Sequence, residues 1–174
     1  MQRTFFKDKK RNLNGSFLTK KNSKILYYHN GLEQIWNIPH ISDSMYVLGN
    51  YLNDNFYPYV KTKIKLPSGE HDLDIITQRL NGIEPDVLII NYEPSNCLLI
   101  NIKKFKGVRV VVLGDYHHMY KNLEKIINYI SNENFDLCFL GDLRMVPYIR
   151  SSIKSKILFS GNLITCGTSL SPVR

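Results

Sequence analysis

Within Gly114–His118 (GDYHH) a carboxylate and two imidazoles fall close together, and they are the residue types that move protons near neutral pH. An imidazole can take a proton from a hydroxyl, and a carboxylate on its other ring nitrogen fixes the tautomer that does so. Asp115 is therefore the expected orienter, with His117 or His118 as the expected base. Glu93, in the stretch Tyr92-Glu93-Pro94-Ser95, is the alternative base. The same residues have a plainer use: Asp115 can cap a helix while both histidines stand in solvent on its first turn. Spacing leaves both uses open. A metal site is not expected, because zinc needs three or four converging ligands. His117 and His118 are adjacent and diverge, and His29, His40 and His71 are scattered.

The elements that must hold these residues are short apolar runs ending abruptly in polar residues. Val87–Ile90 runs into Asn91, Tyr92 and Glu93, and Val108–Leu113 runs into Gly114 and Asp115. Uninterrupted β-branched runs suit strands buried on both faces, as in a parallel sheet covered by helices. Ligands in such sheets lie at the carboxyl ends of the strands. The expected rim is Asn30 and Gly31 after a first strand at 24–28, then Tyr92, Glu93 and Ser95. Gly114 to His118 follow, and Gly141 and Asp142 come after a strand at 135–140. Asn30, Gly31, Tyr92, Ser95, Gly114, Gly141 and Asp142 are the expected substrate-binding residues.

Between these strands, helical spacing predicts helices over 44–55 (behind Asp43), 71–81, 96–104, 118–132 and 143–152. An alternating edge strand is expected at 59–66 and a further strand beginning at 157–159. The alternation predicts an α/β, Rossmann-like parallel sheet with helices on both faces. HNGLEQ after the first strand is not the GxGxxG fingerprint, and no Gly-Lys-Ser/Thr phosphate loop occurs.

Composition narrows the setting. The chain has 174 residues and a formal charge of +8. Residues 1–24 hold eight basic groups and one acid, so they carry +7 and leave +1 for the other 150 residues. Residues 1–23 are thus expected to be a flexible basic arm, and the nearly neutral remainder makes nucleic acid an unexpected partner. No apolar run approaches the ~20 residues of a membrane span. The three cysteines form no CxxC pair, and no secretory signal opens the chain, so a cytoplasmic setting is expected.

The segments PDVLIINYEPS, VVVLGDYHHMYKNLEKIINYISNENFDLCFLG and KILFSGNLITCGTSLSPVR together resemble the N-terminal half of GT-B glycosyltransferases of the spore-maturation (CgeB-like) kind. Those enzymes show a PDVLIVN-D strand and a strand ending in GDTHH. A FVGN strand and an hPxR segment then open their second domain. Tyr116 stands where the family usually has Thr. The resemblance covers roughly 24–174. It implies metal-independent sugar transfer from a nucleotide-sugar donor to an acceptor, with no other cofactor. It also implies that 24–153 is the acceptor-side domain and 154–174 a linker or the start of a truncated second one. The donor would then need a C-terminal Rossmann-like domain, in cis or in trans, and the chain alone would be inactive. Two other readings stay open: a non-enzymatic α/β module binding a nucleotide or phosphorylated metabolite, and a partner-binding domain that uses the basic arm.

Overall fold

In the computed structural model of the chain the described residues are 23–29, 42–50, 52, 60, 62–67, 71–92, 98–113, 122–140, 145–153 and 156–159. They form β1 (Ile25–His29), β2 (Met45–Gly49), β3 (Thr62–Lys65), β4 (His71–Asp72), α1 (Leu73–Arg79), β5 (Val87–Tyr92) and β6 (Leu99–Ile100). A 3-10 turn (Ile102–Lys104), β7 (Val108–Leu113), α2 (Asn122–Glu133), β8 (Leu137–Leu140), α3 (Val146–Ser152) and β9 (Lys156–Phe159) follow.

Seven strands make one sheet in the order β3-β2-β1-β5-β7-β8-β9, and every pairing in it is parallel. The chain winds outward from β1 through β2 to β3, crosses back to β5, and winds the other way to β9. This reversal at β1 defines the Rossmann-like class of α/β sheet. Right-handed crossovers running in opposite directions must cover opposite faces, and the core divides accordingly. Leu26, Tyr28, Leu88, Ile90, Val111 and Cys138 pack with residues of α1, α2, α3 and the 3-10 turn. Ile25, Tyr27, Val47, Ile89 and Val112, from the other face, pack with Leu52 and Val60 of the β2–β3 connection. The strands expected at 86–91, 108–113 and 135–140 are the inner strands β5, β7 and β8.

Two expectations fail. The described residues within 44–55 form no helix: Met45–Gly49 pairs with β1 as β2, and Asp43 lies in the turn before it. A short apolar run has no period long enough to separate helix from strand, and the sheet offers this one a buried slot. Residues 96–104 are likewise not a helix among those described. Leu99–Ile100 pairs with His71–Asp72 as a separate two-stranded ladder, and a 3-10 turn follows. Lys156–Phe159 pairs with β8 in the main sheet. This is the strand that the resemblance places at the opening of a second domain, and among the described residues it stands last in the main sheet. The arm at 1–22 lies outside the described residues.

Polar groups under the helical layer are tied in pairs. Asp72 caps α1 by accepting from the Asp74 amide at 2.8 Å, and its other oxygen accepts from the Asn101 side-chain amide at 2.7 Å. Asn101 has φ 64°, a left-handed conformation that Asn tolerates better than most residues. That turn aims the Asn101 and Ile102 amides at the Glu133 carboxylate, at 3.3 and 2.6 Å, where α2 ends. Beside them, His71 Nε2 donates to the Pro67 carbonyl at 2.6 Å. In the neutral ring Nδ1 then accepts from the Tyr28 hydroxyl, also at 2.6 Å.

Among the described residues the most buried charge is Arg109 on β7, 1 % exposed. Its Nε and one terminal nitrogen donate to the two Asp136 oxygens at 3.0 and 2.7 Å, and its backbone amide donates to the same carboxylate at 3.0 Å. This pair clamps the start of β7 to the start of β8. Removing one partner strands the other charge, so Arg109→Ala should lower unfolding free energy by about 3–5 kcal/mol in urea titrations. The double replacement Arg109→Met with Asp136→Leu should recover most of that loss. A single variant costing less than about 1 kcal/mol would show that the pair is not what holds these strand starts together.

Candidate functional site

The winding reverses between β1 and β5, and doubly wound sheets take ligands at the carboxyl ends of the strands at such a reversal. Register puts His29, the last residue of β1, opposite Asn91 of β5. By strand alternation both share a face with Tyr27 and Ile89. Asn91 Nδ2 lies 3.4 Å from His29 Nδ1. An amide N–H can only donate, so Nδ1 accepts and the ring proton rests on Nε2.

That Nε2 is buried and has no hydrogen-bond partner among the described residues. The ring is 1 % exposed, and burial lowers its pKa from 6.5 to about 4. At neutral pH His29 is therefore an uncharged imidazole presenting an N–H. A base with so low a pKa takes up protons poorly at pH 7, whereas an N–H held in low dielectric is a strong donor to an oxygen. The arrangement suits recognition of an oxygen, not removal of a proton.

On the other side of β1, the backbone of β2 comes close at its last residue. A Cβ added to Gly49 would lie 2.0 Å from the His29 carbonyl oxygen, so only glycine fits there. The next residue, Asn50, carries the second orphaned atom of the described residues, a buried Oδ1. Leaving a buried polar atom unpaired costs about 1–3 kcal/mol. The two atoms lie at the ends of the adjacent strands β1 and β2.

Of the rim expected from the sequence, Asn30, Gly31, Glu93, Ser95, Gly114, Asp115, His117, His118, Gly141 and Asp142 lie outside the described residues. Tyr92, Leu113 and Leu140 are in register on neighbouring strands. The chain thus leaves toward Glu93, Gly114 and Gly141 from one sheet edge. Tyr92 itself is buried, with its ring 5.7 Å from that of Tyr129 beneath α2, a packing position in the core. His29 and Asn91 were not singled out from the sequence. The signal was present, since His29 ends the first apolar run as Asn91 and Asp115 end or follow the others.

Other candidates among the described residues carry less. Cys138 is buried under the helices, and burial pushes its thiol up to about 12, so it is an unreactive core residue. A cleft of about 380 Å³ bordered by Asp74, Glu84, Phe105 and Lys106 opens at the amino ends of β5 and β7, away from the rim. No group of three or more His, Cys, Asp or Glu that could hold a metal ion occurs among the described residues. No helix among them is long and apolar enough to cross a membrane. Comparison with protein-family models, with curated proteins and with solved structures gave no match to this chain.

The buried imidazole makes stability depend on pH. The unfolded chain binds a proton at His29 near pH 6.5, but the folded chain does so only near pH 4. Between these values the unfolded state holds more protons, so folding stability falls as pH drops through that window. The loss should approach about 3 kcal/mol by pH 4. Urea midpoints measured from pH 7 to pH 4 should fall in the native chain and fall less steeply in His29→Gln. Equal slopes for the two proteins would mean that His29 is not held neutral by burial.

Proposed function

We propose that this chain is the acceptor-side, N-terminal domain of a GT-B-type glycosyltransferase. In this reading it binds the acceptor at the carboxyl ends of β1, β5 and β7. A second Rossmann-like domain, in cis or in trans, holds the nucleotide-sugar donor. The observation that carries the reading is the winding reversal at β1 with an unpaired buried donor, His29 Nε2, at its edge. The GDYHH and PDVLIINYE segments add to it, since each follows or ends a strand on that edge. Within the reading, His117 or His118 takes the acceptor proton, Asp115 orients the ring and Glu93 is the alternative base. His29 binds the acceptor and does not act as base, because its pKa of about 4 is too low for that work.

The unpaired His29 Nε2–H, a donor and not a base, is also compatible with a second reading: a module that binds a nucleotide or phosphorylated metabolite and catalyses nothing. The two readings differ in what the 174-residue chain does with nucleotides. The transferase reading expects no turnover of UDP-, GDP- or TDP-sugars by the chain alone, because the donor and its developing charge lack most of their contacts. It also expects UDP and GDP to bind no more tightly than millimolar in calorimetry. Nucleoside diphosphate release by the purified chain would contradict the division between two domains. Micromolar binding of a nucleotide would favour the second reading.

A further inference from the structure

Asn81 and Gly82 form the turn that follows α1, and the backbone there restricts which residues it takes. The Ile83 amide donates to the Leu80 carbonyl at 2.9 Å, and the two residues between them have φ 48° and 80°. A hydrogen-bonded turn with positive φ at both central positions is of type I′, for which Asn-Gly is a preferred pair. A Cβ added to Gly82 would meet nothing within 4 Å, so glycine is required there by its backbone conformation and not by crowding. The same dipeptide is chemically labile. The amide nitrogen after an asparagine can attack the side-chain carbonyl and close a five-membered succinimide, and a side chain on the following residue obstructs that closure.

Three asparagines among the described residues have positive φ, and they differ in what this reaction needs. The amide after Asn101 belongs to Ile102, a β-branched residue, and the Glu133 carboxylate holds it at 2.6 Å. The nitrogen attacks as its conjugate base, so a bond that holds the N–H opposes the reaction. The amide after Asn134 belongs to Phe135, whose ring is buried in the core and fixes the backbone beside it. The amide after Asn81 belongs to glycine and donates to no backbone carbonyl among the described residues. Asn81 and Gly82 are both exposed, so hydroxide and water reach them.

We infer that Asn81 is a site of spontaneous deamidation, in which the Gly82 amide nitrogen closes on Asn81 Cγ. Hydroxide takes the Gly82 N–H proton, the new N–C bond forms, and the side-chain nitrogen leaves as ammonia. Water then opens the ring. Breaking the new Cγ–N bond gives aspartate, whereas breaking the original backbone C–N bond gives isoaspartate, whose chain runs through the side chain. The net reaction consumes one water and releases one ammonia. Either product acts on the fold. A carboxylate at position 81 stands just beyond the last carbonyls of α1, which already carry partial negative charge. Isoaspartate adds a backbone carbon to a turn closed by a single hydrogen bond, next to Leu80, which is buried in the core. The inference is independent of the transferase reading.

The test incubates the full 174-residue chain at pH 6 and at pH 8.5, folded and in urea, and digests it with trypsin for tandem mass spectrometry. Arg79 and Lys103 bound one tryptic peptide that holds both Asn81 and Asn101, so Asn101 is an internal control. Asn14–Gly15 and Asn30–Gly31 repeat the dipeptide outside the described residues and are read separately. In the folded chain Asn81 should convert at least about tenfold faster than Asn101, a barrier difference of ~1.4 kcal/mol, and faster at pH 8.5 than at pH 6. Urea should accelerate Asn101 more than Asn81, because the fold holds only the amide after Asn101. Both products should appear at position 81, isoaspartate being the one that an aspartate-specific protease leaves uncut. Asn81→Gln should suppress the change, since its longer side chain closes a larger ring more slowly. Asn81→Asp supplies the charge alone, and the isoaspartate form should melt below it. Equal conversion of Asn81 and Asn101 in the folded chain, or conversion of Asn81 in urea only, would overturn the inference.

Discussion

The parallel ladder that joins β1 to both β2 and β5 is the constraint on which the rest of the structure depends. In a parallel sheet the connections must cross over a face, and their handedness decides which face. Because β1 has the earlier-wound strands on one side and the later-wound strands on the other, the crossovers on its two sides cover opposite faces. Its carboxyl end therefore lies where the two sets diverge. The same ladder brings the β2 backbone so near that Gly49 admits no side chain, and it sets His29 against Asn91. Position, spacing and burial of the candidate site all follow from that one pairing.

The two ends of the sheet treat buried polar groups differently. At the amino end, Arg109 meets Asp136 through both carboxylate oxygens, and at the edge of the helical layer Asp72, Asn101 and Glu133 meet one another or backbone amides. Tyr129, whose hydroxyl donates to the Leu99 carbonyl at 2.7 Å, belongs to the same closed set. Burial and the nearby Glu133 carboxylate hold that phenol protonated. Such groups are matched within the chain, which is what a structural role requires. At the carboxyl end, His29 and Asn50 are left unmatched. Incomplete satisfaction at the edge where the topology already expects a ligand is why that edge, and not the opposite cleft, is read as functional.

How much of this was legible in the sequence varied with the length and purity of each signal. Val108–Leu113 and Val87–Ile90 are continuous and largely β-branched, and they announce buried parallel strands. The charged and apolar positions of α2 repeat at helical spacing, and Asn122–Glu133 is a helix. Met45–Gly49 misled because Tyr46, Val47, Leu48, Tyr51 and Leu52 also fit a helical face, and five residues cannot outvote that pattern without knowledge of the neighbouring strand. The β4–β6 ladder has two residues on each side, too few for any period. The rim was legible as polar residues after apolar runs. The burial of His29 was not, since it depends on which strands flank β1 and how closely β2 approaches, and local sequence encodes neither.

The central claim is that His29 is a neutral donor held at the winding reversal by Asn91. A long-range ¹H–¹⁵N spectrum of the imidazole at pH 7 tests it most directly, because it reads the protonation of each ring nitrogen separately. The account predicts a neutral ring with the proton on Nε2 and a bare Nδ1, and cross-relaxation between that ring and the Asn91 side-chain amide. A ring protonated on both nitrogens, or one with its proton on Nδ1, would contradict it.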